Sequence, residues 1–159
     1  MRLKTVEVKR FRSIMDAKVE FYKDQPVVIC GQNNIGKTNF LLALNLFFNH
    51  WYDDSTFEPS RDIPDHIKNG SGGKTNNTEI SCTFESDGVV IFEAKAKFNN
   101  DCSITYYKRE FFEGEWDDFE QIDDLKFYEL VSDFEFILIK SNNVDIPKMI
   151  SKILGDVLL

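Results

Sequence analysis

This chain of 159 residues contains few cysteines and histidines, and it has no excess of positive charge. The three cysteines, Cys30, Cys82 and Cys102, form no C-x-x-C pair, and only two histidines are present, so neither a disulfide framework nor a zinc site is expected. The net charge is −8, and an acidic surface repels a phosphate backbone. Nucleic acid is therefore expected only as an indirect partner.

Long apolar runs are also absent. No run approaches the length of a membrane span, and residues 1–9 lack the apolar centre of a signal peptide, so we expect no membrane contact and a cytoplasmic location. The length is that of one domain. Fifteen phenylalanines supply enough apolar surface for a sizeable core.

The most specific pattern that is present is a phosphate-binding loop. Residues 31–38 match G-x-x-x-x-G-K-[ST] at every fixed position. The apolar run 26–30 before them predicts a strand buried on both faces of a parallel sheet, and the run 40–48 predicts a buried helix from Lys37 to about Asn49. Strand, loop and helix in this order favour a true P-loop over a chance match in a surface loop.

The chemistry of such a loop assigns roles to its residues. Backbone N–H groups and the positive end of the helix dipole surround the phosphate oxygens of a nucleoside triphosphate such as ATP. We expect Lys37 to reach the β- and γ-phosphates and the Thr38 hydroxyl to bind Mg²⁺. The predicted binding residues of the loop are Gly31, Gln32, Asn33, Asn34, Ile35, Gly36, Lys37 and Thr38, with Thr38 also the metal ligand.

Outside the loop, the pattern predicts antiparallel strands, a long insertion and two further helices. Alternation of apolar and polar residues is typical of half-buried strands, and clusters of glycine, proline and asparagine are typical of loops. The predicted segments are strands at 3–9 and 18–21, a loop insertion at 50–78 with a mobile tip at 69–77, a β-meander at 79–119, a helix at 122–132, a buried strand at 134–139 and a helix from about 146. This last helix is predicted to have an apolar face that still lacks a partner, which is typical of an interrupted chain.

No catalytic residue is identified, because the second acidic motif of a P-loop hydrolase is not found. Glu93 follows an apolar run but is predicted to be a solvated strand residue. Residues 70–74 imitate a transporter-type signature, yet a flexible loop is favoured, so Lys74 is not expected to affect nucleotide affinity. The acidic stretch 113–124 is predicted to be a solvated hairpin edge rather than a metal site.

Two segments carry a resemblance to a known family. Phe11-Arg12-Ser13-Ile14 and the G-x-N-N-x-G-K-[ST]-N form of the loop resemble the start of the RecF/SMC-like branch of ABC ATPases, and within it the OLD (overcoming lysogenization defect) family. The resemblance is specific over residues 1–48 and architectural over 49–139. It implies an α/β P-loop NTPase fold, namely the N-terminal lobe of an ABC-type head, with an antiparallel β-meander subdomain. The chain 1–159 would then be part of an ATPase domain, with its core at 1–49 and 127–159.

The resemblance also implies roles for single residues. Asn33 would approach the γ-phosphate, and Arg12, with its neighbours Phe11 and Ser13, would lie near the base and ribose. Asn39 would brace the loop. The alternatives are that Arg12 is a basic surface residue and that Asn39 merely starts a helix. Gln121 is a candidate for the glutamine that the family places after the meander.

The implied function is that of an ATP-binding lobe whose heads dimerise around ATP and Mg²⁺. OLD proteins carry a Toprim nuclease and include anti-phage defence effectors, so a homo-oligomer and a nuclease or effector subunit are the expected partners. Because the second acidic motif, the signature and a Toprim cluster are not found, ATP hydrolysis would need a downstream or partner segment. The alternative is a non-hydrolysing, nucleotide-binding regulatory module. A small-molecule kinase is disfavoured by the meander.

Overall fold

A computed structural model describes residues 1–30, 36–52, 55–68 and 77–138, and every structural statement below concerns those residues. They form seven strands and four helices. In chain order these are β1 (Arg2–Phe11), β2 (Ile14–Glu20), α1 (Lys37–Asn49), α2 (Pro59–Asp62), α3 (Asp65–Lys68), β3 (Asn77–Ser86), β4 (Val89–Asn99), β5 (Ile104–Phe112), β6 (Glu115–Trp116), β7 (Glu120–Ile122) and α4 (Asp124–Val131).

The strands form one antiparallel sheet in the order β2-β1-β3-β4-β5-β6, with β7 also paired to β5. The predicted alternation of β1 is confirmed, since Val6 and Val8 are fully buried. Residues of opposite charge face each other across β1 and β2, where Glu7 lies opposite Lys18 and Lys9 lies opposite Asp16. Such cross-strand pairs stabilise a sheet by roughly 0.2–1 kcal/mol each.

The predicted meander is confirmed as β3, β4 and β5, three long strands joined by short turns. Asp87 and Gly88 form the first turn, both with positive φ. Alternation predicts one apolar face for β3 and β4, and apart from Val90, which is only half-buried, the residues of that face lie in the core. They are Ile80, Cys82, Phe84, Phe92, Ala94, Ala96 and Phe98.

Helix α1 lies across the core face of this sheet. Phe47 is fully buried and makes an edge-to-face contact with Phe127 of α4, with the ring centroids 5.3 Å apart. The predicted helix near 122–132 is α4, and Asp123 caps it by accepting a 2.8 Å hydrogen bond from the Lys126 N–H. Helix α1 was predicted to be buried, but Leu41 is 41% exposed, so the described structure does not bury this helix on every side. None of the described helices is both long and apolar enough to cross a bilayer.

The prediction of a buried strand at residues 26–30 was wrong. The structure assigns no strand there, and Val28 is 78% exposed. A strand is stable only when neighbours accept and donate its backbone hydrogen bonds. The partner expected at 134–139 does not supply them, because residues 134–138 are not a strand either and residue 139 lies outside the described part.

The predicted insertion at 50–78 is more ordered than its composition indicated. It contains the short helices α2 and α3, and β3 begins inside it at Asn77. Its side chains Asp62 and Ile63 are almost completely buried. The predicted glycine-rich tip, apart from Asn77, and the predicted helix from about residue 146 lie outside the described residues.

Candidate functional site

The start of α1 is the described part of the predicted phosphate-binding loop. Gly36 is its N-cap, with a left-handed backbone (φ 102°), and no side chain caps the helix. The Gly36 carbonyl accepts the first helical hydrogen bond from the Phe40 N–H, at 2.8 Å. Lys37 and Thr38 occupy the first turn, where N–H groups and the helix dipole favour an anion. The loop residues Gly31, Gln32, Asn33, Asn34 and Ile35 lie outside the described residues.

The turn between β1 and β2 packs against this helix start. A Cβ atom added at Gly36 would lie 3.0 Å from Ser13 Oγ and 3.2 Å from Ile14 Cγ1, which is too close for an unmoved neighbour. Asn39 Nδ2 donates a 2.9 Å hydrogen bond to Ser13 Oγ. The two segments that carry the family resemblance therefore meet at Gly36, and Asn39 holds them together.

Arg12 is tied to Asp62 rather than extending into solvent. Its backbone N–H donates to the Asp62 carbonyl at 2.7 Å, and its Nε donates to Asp62 Oδ1 at 2.8 Å. Its backbone is left-handed (φ 52°). Arg12 is thus more than a basic surface residue, while its expected contact with the base and ribose of ATP stays a prediction.

Asp62 was not singled out from the sequence. Its side chain is 1% exposed and accepts hydrogen bonds from Arg61 Nε (2.8 Å) and Nη2 (2.7 Å), and from the Glu58 N–H (2.9 Å), besides Arg12. Burial alone would raise the pKa of this carboxyl, but the hydrogen bonds from Arg61, from the Glu58 N–H and from Arg12 outweigh it, so the pKa is lowered. Asp62 is therefore ionised at neutral pH.

A cavity of about 230 Å³ lies beside this ion pair, between β1, α1 and α2. Polar groups of Arg12, Arg61 and Asp62 line one side of it, together with apolar groups of Phe11 and Leu46. It is continuous with the residues that hold the Arg12–Ser13 turn. The α1 residues that line this cavity lie further along the helix than Lys37 and Thr38, and its link to the helix start is the Arg12–Ser13 turn.

The prediction that Glu93 is solvated was wrong. It is 6% exposed and accepts hydrogen bonds from Arg109 Nε (2.8 Å) and Nη2 (2.5 Å). Its strand β4 is central, so Thr83 and Arg109 cover it from the two neighbouring strands. The Arg109 guanidinium also lies over the Trp116 ring, 4.5 Å from its centroid. Glu93 is therefore a structural ion-pair residue.

The other sequence candidates lie apart from the start of α1 in the chain. The acidic residues between 113 and 124 are exposed, as predicted, and within the described ranges no group of three or more His, Cys, Asp or Glu could hold a metal ion. Gln121 is exposed on β7 opposite Tyr107, and its role stays a prediction. Lys74 lies outside the described residues.

Comparison with protein-family models gives a match to AAA_15, an AAA ATPase domain, over residues 1–153. The match includes the predicted loop, α1 and the complete meander. It supports the coarse prediction of a nucleotide-binding, ATPase-like domain. A comparison with curated proteins found no match.

Proposed function

The chain belongs to the AAA ATPase domain family, and from this premise we propose that it binds ATP at the start of α1, as a lobe of an ABC-type head. One observation carries the proposal. Gly36 precedes α1 in a left-handed conformation that strains other residues, and it packs so closely against Ser13 and Ile14 that an added Cβ would require a neighbour to shift. This glycine directly precedes Lys37 and Thr38, the residue types that bind polyphosphate and Mg²⁺.

The residues of the helix start fit the nucleotide and its metal. Gly36, the N-cap of α1, has no side chain that could accept from the first N–H groups, and phosphate oxygens are suitable acceptors at a helix N-terminus. Lys37 would neutralise the β- and γ-phosphates, and the exposed Thr38 would offer its hydroxyl to Mg²⁺, which would supply further positive charge to the phosphates. Residues 31–35 would supply further backbone N–H groups, and Arg12 would lie on the base side.

The finer part of the proposal concerns the whole protein. By its resemblance to the OLD family over residues 1–48, the lobe would close a head dimer when ATP binds and would regulate a nuclease or DNA-directed effector in phage defence. A homo-oligomer in the cytoplasm and an effector subunit are the corresponding partners. The domain boundaries given above, with a core at 1–49 and 127–159, belong to this proposal.

Lys37→Ala tests the site. Removing the ammonium is expected to weaken Mg²⁺–ATP binding by about 10- to 100-fold, because hydrogen bonds between charged groups contribute about 1.5–3 kcal/mol. Isothermal titration calorimetry measures the affinity, and circular dichroism checks that the fold is unchanged.

Two lysine variants serve as controls. Lys18→Ala on β2 and Lys74→Ala in the glycine-rich segment should both retain the affinity of the unmodified chain. Unchanged ATP binding in Lys37→Ala would refute the site. A large loss in Lys74→Ala would instead support a signature role for residues 70–74.

A second candidate function is a nucleotide-binding module that does not hydrolyse ATP. The observation in its favour is that Glu93, which most resembles the second acidic motif, is engaged by Arg109. Phosphate release by this chain would distinguish the two. Turnover that Lys37→Ala abolishes would reject the non-hydrolysing module.

A further inference from the structure

We infer that Asp62 is a positioning residue that holds the Arg12–Ser13 turn against the start of α1 and so sets the geometry of the nucleotide site. This inference rests on the proposed function for its consequence, but not for the contacts that carry it. Asp62 lies in α2, in the segment between α1 and the meander. It does not belong to the phosphate-binding pattern.

The first step is that two hydrogen bonds link Arg12 to Asp62. One hydrogen bond fixes the backbone of Arg12, from its N–H to the Asp62 carbonyl, and a second fixes its side chain, from Nε to Oδ1. Arg12 has a left-handed backbone, which non-glycine residues rarely adopt without support. Asp62 supplies that support from a buried position.

The second step joins the turn to the helix start. Ser13 follows Arg12 directly, and its Oγ accepts the hydrogen bond from Asn39. The same Oγ lies 3.0 Å from the position that a Cβ atom at Gly36 would take, which is a tight contact. A shift of Arg12 would therefore move Ser13 and change the packing of Gly36 and Asn39, which begin α1.

The third step is electrostatic. Arg12 and Arg61 both donate to the one carboxylate, with side chains that are 25% and 44% exposed. A neutral residue at position 62 would leave two guanidinium groups side by side without the anion between them. Like charges repel, so Arg12 is expected to move away from its present position.

A purely structural role would predict something different, and the chain contains a matched control. Glu93 is also a buried carboxylate with an arginine partner, Arg109, but it lies on β4 within the meander. Neutralising Glu93 should lower stability without changing the surroundings of Gly36. Asp62→Asn and Glu93→Gln are therefore compared.

Two measurements are made on both variants and on the unmodified chain. Backbone amide chemical shifts of residues 36–39 are recorded by NMR without nucleotide, and Mg²⁺–ATP affinity is measured by calorimetry. Asp62→Asn is expected to shift the amides of 36–39 and to weaken binding by about five- to tenfold, while Glu93→Gln leaves both unchanged. In a double-mutant cycle, Arg12→Ala and Asp62→Asn should be strongly non-additive in affinity.

The outcomes separate this inference from the proposed function. Unmoved amides at 36–39 in Asp62→Asn, or affinity losses that simply add to those of Arg12→Ala, would overturn the positioning role. If the unmodified chain does not bind Mg²⁺–ATP, the proposed function fails. The amide shifts of residues 36–39 then test by themselves whether Asp62 positions the start of α1. If Asp62→Asn does not fold, Arg61→Gln removes one partner of the carboxylate and should shift the same amides by a smaller amount; no shift there would count against the inference.

Discussion

The meander and the segment that precedes α1 differ in how their strands find partners. In the meander, β3, β4 and β5 are joined to one another by turns of a few residues, and the apolar side chains on their core face are buried. Residues 26–30 are as apolar as any of those strands, yet they are exposed and unpaired in the described structure. Apolar composition alone therefore does not make a strand.

The difference lies in the distance along the chain to the partner. Antiparallel strands are joined by tight turns, so a hairpin brings its own partner. A parallel strand needs a crossover connection and a second strand far along the chain. The meander meets the first condition through turns such as Asp87-Gly88, whereas 26–30 requires the second.

The largest expected difference in the free energy of unfolding is between a substitution in the meander and one at residues 26–30. Phe84→Ala in β3 removes a fully buried ring that stacks on Phe92, with centroids 4.7 Å apart, and should lower the free energy of unfolding by about 3–5 kcal/mol. Val28→Ala, at a largely exposed position, should change it by less than about 0.5 kcal/mol. Urea denaturation measures both. A loss above about 1.5 kcal/mol in Val28→Ala would show that residues 26–30 are buried in solution.

A smaller contrast is expected between two glycines with positive φ. Alanine is strained in this conformation at Gly36 and at Gly88 alike, by about 1–2 kcal/mol. At Gly88 the added Cβ meets no atom within 4 Å, whereas at Gly36 it meets the Ser13–Ile14 turn. Gly36→Ala should therefore be the more destabilising by about 1 kcal/mol, measured by denaturation. Equal losses of stability in the two variants would mean that the Ser13–Ile14 turn shifts to accommodate the added methyl group.

The smallest expected effect concerns His50, which links the end of α1 to the meander. Its Nδ1–H donates to the Leu46 carbonyl at 3.0 Å, and its Nε2 accepts from the Tyr106 hydroxyl of β5 at 2.7 Å. Burial lowers the pKa of His50 below its usual 6.5, although the Leu46 and Phe47 carbonyls oppose this shift.

The sign of the pH dependence follows from that lowered pKa. Above pH 6.5 the imidazole is neutral in both states; as the pH falls from 6.5 through the folded pKa, the unfolded chain binds the proton more readily and stability is lost. Thermal unfolding between pH 7.5 and 5 would record this loss. His50→Phe should remove that part of the loss, while His66→Asn, at an exposed position, should leave it. An unchanged slope in His50→Phe would contradict the assignment.

The sequence was sufficient for elements whose pattern is local. The alternation of β1 and of the meander, the extent of α1 and the position of α4 follow from residues that are neighbours in the chain. The contact of the β1–β2 turn with the start of α1 was implied only by the resemblance. Within the described part of the chain, the failure at residues 26–30 concerns a partner that would have to be distant in sequence.

The buried polar residues Asp62 and Glu93 were not predicted, because their burial depends on contacts with other elements of the fold. Asp62 lies among prolines and charged residues, a composition typical of an exposed loop, and its partner Arg12 is 50 residues away. Glu93 occupies the polar face of an alternating strand, and its burial arises only because β4 has a neighbour on each side. The residues that cover a polar side chain in the folded protein cannot be identified from a single sequence.

The opposite charges across β1 and β2 favour the observed alignment of these strands. A slip of two residues would keep Val6 and Val8 on the core face, so burial alone does not distinguish the correct alignment from its neighbours. In one direction the slip would place Lys9 opposite Lys18 and Glu7 opposite Glu20, and in the other it would place Glu7 opposite Asp16. Repulsion between like charges therefore disfavours both slipped alignments, and with them any change in the length of the turn that carries Arg12 and Ser13.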